Sequence, residues 1–165
     1  MRTVDDDQHP TLEVALQKRA LTETLSVLKQ ASAQWASHGC PGTAECCQLS
    51  TTKKEPWLWP TEWQALLEHL KRSNRALPEP RADGGCPFLD SAGKRCTVYE
   101  ARPFGCRTYF CHRITGPTKQ PAEATNALLD RLAAINIGLD SEAAPQPMLN
   151  YTGAHVAVRP SRESH

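Results

Sequence analysis

Seven cysteines fall into two groups, and this grouping constrains the chain more than any other feature. The first group is Cys40, Cys46 and Cys47, and the second is Cys86, Cys96, Cys106 and Cys111. Because seven is odd, a scaffold built only from disulfides would leave one thiol over. The grouping therefore favours a soft metal bound by thiolates over a disulfide framework.

The amino-terminal segment is acidic and lacks the basic and then apolar pattern of a secretory signal. We therefore expect a cytoplasmic protein whose thiols stay reduced. No stretch approaches the roughly 20 apolar residues that cross a bilayer, so we expect no membrane contact. The net charge of +1, with basic residues spread along the chain, gives no electrostatic case for nucleic acid.

Length and composition predict one small domain, mostly α with long irregular loops. Of 165 residues only 39% are hydrophobic, and 13 are proline. A core of this kind needs a staple, which a cysteine-bound metal supplies in a reducing compartment. We divide the chain into a flexible N-terminus over 1–10, a metal-binding domain over 11–138 and an extended or poorly ordered tail over 139–165.

Apolar periodicity predicts a first helix from about residue 11 to His38, ended by Gly39. Its inner face would be formed by Leu12, Leu16, Leu21, Leu25, Leu28 and Trp35. We interpret this stripe as core packing.

A second helix is predicted to follow Pro60, with Thr61 and Gln64 as a capping box, and to end near Ala76. A third is predicted from Pro121 to about Gly138.

Between the two cysteine groups lies the segment Trp57-Leu58-Trp59. A short strand or turn that covers the cysteines is one interpretation, since tryptophan is buried on average. The alternative is an exposed patch that binds a partner protein through Trp57 and Trp59.

The cysteine spacings, C-x5-C-C and C-x9-C-x9-C-x4-C, differ from the paired knuckles of ordinary structural zinc sites. Only Cys106 and Cys111 resemble such a pair. Neighbouring side chains in an extended segment point to opposite faces, so we expect Cys46 and Cys47 to have different roles.

Charged and basic residues flank these cysteines. Thiolate charge could be offset by Arg95, Arg102, Arg107 and Arg113, although surface pairing with Glu100 or Asp90 is the alternative. His38 and His112 stand beside ligand candidates and are secondary candidates for coordination.

No catalytic constellation is recognisable in the sequence, which favours a non-enzymatic protein. Cys111 and His112 are adjacent, but sequence neighbours seldom have the geometry of nucleophile and base. A dithiol redox protein is disfavoured because no C-x-x-C is present.

The stretch Cys86-Pro87-Phe88-Leu89, Cys96-Thr97-Val98-Tyr99-Glu100, Arg102-Pro103 and Cys106-Arg107 closely resembles the signature of the YkgJ-like "CxxCxxCC" cysteine-cluster family. The resemblance implies a zinc- or iron-chelating domain with an iron-sulfur cluster. It also implies kinship with the cysteine region of flagellin lysine N-methylases. Methyl transfer is not carried over, because this chain lacks the length and a Gly-rich turn for S-adenosylmethionine.

One position departs from the family pattern. Where the family has a cysteine three residues after the first, this chain has Thr43, a poor ligand for a soft metal. Either that position is not a ligand in the family, or the number of metal atoms differs here.

Taken together, the sequence predicts that all seven cysteines are candidate metal ligands. The favoured cofactor is a 4Fe-4S cluster shared by the two groups, used for electron transfer, sensing or support of a partner enzyme. The alternative is a structural zinc domain without a redox role.

Overall fold

The computed structural model describes residues 12–153, of which about half are helical. Segment 1–10, predicted to be flexible, lies outside the described residues, as does the end of the predicted tail. The helices are α1 (Leu12–Gln34), α2 (Leu49–Thr52), α3 (Pro60–Arg72), α4 (Phe104–Arg107), α5 (Ala122–Leu139) and α6 (Met148–Thr152), and the strands are β1 (Trp57–Leu58) and β2 (Gln146–Pro147).

Helix α1 packs against α3 and α5, and one buried cluster forms between α1, α4 and α5. Another buried cluster joins α3 to β1, α6 and the loop around Cys86. The predicted inner face of α1 is wrong in part, because Leu12, Leu16 and Leu25 are exposed. Small side chains such as Ala20 and Ala31 are buried in their place. They let neighbouring helices approach closely, and this close packing sets the buried face of α1.

A buried polar network joins the three long helices. Thr24 Oγ1 donates to Thr61 Oγ1 over 2.8 Å, and the Asn136 side chain donates to the same oxygen over 2.9 Å. Asn136 Oδ1 accepts from the Thr61 amide over 3.1 Å. Each group in this dry region has a partner, so the network holds α1, α3 and α5 in one arrangement.

Helix α3 begins at Pro60, as predicted, but its cap is different. Pro60 occupies the first helical position, which makes Trp59 the N-cap and Glu62 the third residue. The Glu62 carboxylate accepts from the Trp59 amide over 2.9 Å. Thr61 and Gln64 therefore do not form the capping box, since Thr61 is used in the buried network.

Part of the predicted tail is ordered, which corrects the expectation for 139–165. Strands β1 and β2 pair antiparallel, with Trp57 opposite Pro147. Helix α6 follows at once and buries Met148, while Tyr151 stacks on Trp63 with ring centroids 5.0 Å apart. Elements of two and five residues are too short to leave a periodic pattern, so composition alone suggested a tail.

The loops that carry the cysteines are tied together by backbone bonds. Gly39 exchanges two hydrogen bonds with Thr115, at 2.8 and 3.0 Å. A side chain at Gly39 would collide with Thr115, so this glycine permits a close backbone approach and does not end α1, which stops at Gln34. Within the described part of the chain, none of the helices combines the length and apolar character of a membrane span.

Candidate metal centre

A cavity of about 630 Å³ lies between the cysteine-bearing loops, β1 and the helices α3, α4 and α5. Thiols of both sequence groups line it. They are Cys40, Cys46 and Cys47 from the first group and Cys86, Cys96 and Cys106 from the second. The fold thus brings the two groups to one place.

Cys46 and Cys47 lie in a 3-10 turn over Glu45–Cys47, not in an extended segment. Their sulfurs are consequently 3.9 Å apart, and the expectation that the two side chains point to opposite faces is wrong. The Cys47 carbonyl accepts from the Cys86 amide over 2.8 Å. This bond fixes the first cysteine of the second group beside the first group.

The remaining two cavity thiols of the second group are positioned by local structure. Cys96 forms a bridge with Leu89 across the intervening turn. Cys106 lies on α4, which begins directly after Pro103 and buries Phe104 in the core. Four separate segments therefore supply the six thiols, since Cys40 lies on the same loop as Cys46 and Cys47.

Other sequence candidates lie apart from these six thiols. Cys111 does not line the cavity, so the knuckle-like pair with Cys106 is divided. Thr43, which replaces a family cysteine, is also absent from the cavity wall. His38 Nε2 lies 3.0 Å from the Lys119 carbonyl, and His112 accepts from Arg113.

Burial and neighbouring thiols raise the pKa of several cavity cysteines. Burial and then the neighbouring thiols raise the pKa of Cys106, and burial raises the pKa of Cys96. The hydrogen bond with Cys46 lowers the pKa of Cys47, but the bond with Cys86, burial and nearby thiols raise it overall to about 12. Neighbouring thiols with raised pKa values become thiolates only when a bound cation compensates their negative charge.

Of the four arginines considered from the sequence, Arg102 is the one whose charge lowers the pKa of the thiols at Cys46, Cys96 and Cys106. Its guanidinium lies 3.6 Å from the centre of the Tyr99 ring. Arg107 instead donates to Ser32 and to backbone carbonyls. Arg113 pairs with Glu45 over 2.7 Å, a partner that the sequence did not suggest.

Glu62 is a cavity residue that sequence reasoning missed. It is 2% exposed, and its second carboxylate oxygen accepts from the Phe104 amide over 2.6 Å. Burial raises its pKa to about 7, against the effect of the two amide bonds. Proline at the first position of α3 is the signal from which this glutamate could have been identified as the capping residue.

The donor set suits particular metal ions. Six sulfur donors around one cavity suit soft or borderline ions such as zinc and iron. Within residues 12–153, no three His, Cys, Asp or Glu side chains already stand close enough to hold an ion. The thiols thus fit the metal by chemical type, and protonated sulfurs have no reason to adopt the final spacing.

The fold and site define a small, half-helical cysteine-cluster domain. The family model "CxxCxxCC", described as "Putative zinc- or iron-chelating domain", matches residues 38–127. That range is more than half of the 165 residues, and the chain belongs to this family. The match supports metal binding, and its range includes all seven cysteines. No curated protein and no solved structure gives a significant match.

Proposed function

We propose that the chain holds a 4Fe-4S cluster through Cys47, Cys86, Cys96 and Cys106. The observation that carries this proposal is the convergence of thiols from both sequence groups on one cavity. Cys47 interacts with Cys86 and Cys96, and Cys106 with Cys47 and Cys96. When bound, such a cluster would supply one-electron chemistry, for electron transfer, sensing or support of a partner enzyme.

The cavity has room for a cluster as well as for a single ion. Zinc-sulfur bonds of 2.3 Å enclose a sphere of about 50 Å³, and the cavity volume is about 630 Å³. In a cubane each thiolate binds a different iron atom, so its ligand sulfurs lie further apart than those around one ion. One of Cys46 and Cys47 is then sufficient, and Cys40 and Cys46 are the spare thiols of the cavity because both are exposed.

Arg102 supports the same proposal through charge. Four thiolates and an oxidised cubane carry net negative charge, and nearby cations tune the potential of such a centre. Arg102 lies against Tyr99 at the cavity wall and lowers the pKa of three of the thiols.

One observation favours the alternative, a structural zinc site. A tetrahedron with 2.3 Å bonds has sulfurs about 3.8 Å apart, and the Cys46 and Cys47 sulfurs are 3.9 Å apart. A zinc site would therefore use both of these neighbours. Metal binding by a Cys46 variant therefore distinguishes the two candidates, because only the zinc site uses this cysteine.

The test is anaerobic purification with iron, zinc and sulfide quantified per chain, together with the visible spectrum. We expect about four irons and four sulfides per chain and broad visible absorption. Cys46→Ser should keep the iron and the spectrum, whereas Cys86→Ser and Cys106→Ser should each lose them. Cys111→Ser is the matched control, since Cys111 lies off the cavity wall.

A colourless protein with one zinc per chain that is lost in Cys46→Ser would establish the alternative. Full metal retention in the double variant Cys86→Ser/Cys106→Ser would refute both candidates. The metal loss in Cys86→Ser/Cys106→Ser should be smaller than the sum of the losses in the two single variants, because both residues serve one centre.

A partner protein remains part of the proposal. Trp57 lines the cavity and is nevertheless 59% exposed. An exposed tryptophan beside the centre suits docking of an electron-exchange partner. Cross-linking at position 57 in cell extract should capture a defined protein. Equal capture by a probe at Glu123, which is exposed and does not line the cavity, would count against this role.

A further inference from the structure

The cavity has space and wall area that metal binding does not use. Its volume of about 630 Å³ falls within the range of about 300–1,000 Å³ for sites that bind small organic molecules. Part of its wall carries no thiol and is mostly aromatic or apolar, formed by Trp57, Trp59, Phe104, Tyr109 and Leu129. A flat apolar molecule would be desolvated against this wall.

Lys54 adds one positive charge to the apolar wall. Its ammonium group lies 5.4 Å from the centre of the Tyr109 ring, and the residue lines the cavity. Among residues 12–153, Lys54 forms no ion pair with a carboxylate. The amine therefore has donors available for a bound molecule.

The other charged groups of the wall are already engaged. Glu62 accepts from two backbone amides, and Glu55 accepts from the Leu149 amide over 2.7 Å. Arg102 lies on Tyr99 and faces the thiols. Lys54 is thus the cation of the aromatic part of the wall, whereas Arg102 is the cation beside the thiols.

We propose that the cavity binds a small organic anion, with a planar apolar body against Trp59 and Tyr109 and one carboxylate or sulfonate paired with Lys54. The molecule would lie next to the thiols, so this inference rests on the proposed metal centre and names a ligand class for the same site. The ammonium supplies a charge-assisted hydrogen bond, and the aromatic wall supplies apolar contact.

The test compares two dyes that differ in one charge. Metal-loaded full-length protein is titrated calorimetrically with 8-anilinonaphthalene-1-sulfonate and with its uncharged analogue N-phenyl-1-naphthylamine. We expect one sulfonate dye per chain, bound about tenfold more tightly than the analogue, the effect of one hydrogen bond to a charged group. Added salt should weaken binding of the sulfonate alone.

Lys54→Gln should remove the advantage of the sulfonate and leave the analogue unchanged, while Lys54→Arg should retain it. Lys53→Gln is the matched control, because it removes the same charge one residue away and off the cavity wall. Equal affinity of both dyes, or equal loss in Lys53→Gln and Lys54→Gln, would refute the inference. An unchanged near-ultraviolet spectrum and one-site saturation distinguish this binding from dye uptake by a loosened protein.

Metal is quantified in the same samples. Full metal content without sulfonate binding overturns this inference and leaves the metal centre intact. Absence of metal overturns the proposed function, while the dye comparison still reports on Lys54.

Discussion

Replacing Glu62 with Gln should change how the stability of the protein depends on pH. Glu62 is 2% exposed, and burial raises its pKa from 4.5 to about 7. Below pH 4.5 this carboxyl is protonated in both the folded and the unfolded chain. As the pH rises, the unfolded chain ionises first, so the free energy of unfolding falls until the folded carboxyl ionises near pH 7.

The size of this fall in the free energy of unfolding follows from the interval between the two pKa values of Glu62. Each pH unit lowers the free energy of unfolding by about 1.4 kcal/mol, which gives about 3 kcal/mol between 4.5 and about 7. Gln cannot ionise, so Glu62→Gln lacks this contribution. The Gln side chain has a single carbonyl oxygen, so one of the two backbone amides that donate to Glu62 loses its acceptor. This loss lowers the stability of the variant by an amount that does not depend on pH. The stability advantage of the wild type over the variant should therefore shrink by about 3 kcal/mol on going from acid to neutral pH.

The assay is urea unfolding of wild type and Glu62→Gln at a series of pH values, with both proteins in the same metal state. Titration of the histidines and thiols is common to the two proteins, so their difference isolates Glu62. Glu123→Gln is the control, because Glu123 occupies the first turn of α5 as Glu62 does in α3 but is exposed. Parallel pH profiles for wild type and Glu62→Gln would refute the reasoning.

Four further predictions follow from the site and the core. Chelation of the metal should lower the thermal midpoint and expose residues 86–111 to protease, because metal binding contributes to folding; unchanged melting and digestion would contradict this. In the metal-free protein the raised thiol pKa values mean that the unfolded chain ionises first, so urea stability should fall as pH rises from 9.0 towards about 12. The metal-loaded protein should not show this fall, and a flat profile for the metal-free protein would be inconsistent with buried thiols. Arg102→Gln should weaken metal affinity in chelator competition by several-fold or more through loss of a nearby positive charge, whereas equal weakening in Arg95→Gln would point to a general charge effect. Asn136→Ala should cost about 3 kcal/mol in urea unfolding by leaving buried partners unsatisfied, and a cost no larger than that of exposed Asn126→Ala would show that the network is dispensable.

The long helices could be predicted because each carries enough apolar residues to reveal a period. Observed α3 and α5 begin within a residue of the predicted positions, and each predicted helix exists. The buried face of α1 was predicted less well, since leucines mark an apolar face only when a neighbour covers it. Leu16 and Leu25 stay 48% and 42% exposed, whereas Ala20 and Ala31 are buried.

The site could be predicted as a cysteine cluster but not as a particular set of thiols. Sequence spacing suggested Cys106 and Cys111 as a pair, yet α4 ends at Arg107 and Cys111 follows beyond the cavity. Cys46 and Cys47 seemed to diverge, but a 3-10 turn brings their sulfurs together. Which thiols converge depends on the path of loops that have no periodicity, so the fold had to be known first.

The distribution of the cavity thiols over four segments also affects when a metal can be captured. In an unfolded chain, Cys47 and Cys106 are separated by the whole of α3 and the loops beyond it, and closing so long a loop costs entropy. A short knuckle, by contrast, already concentrates two thiols before folding. The nascent chain here offers neighbouring thiols such as Cys46 and Cys47 but not the full set, which comes together only on folding. Little binding energy is then diverted to the unfolded state, so the affinity for metal adds to stability nearly in full, and metal content reports whether the chain has folded.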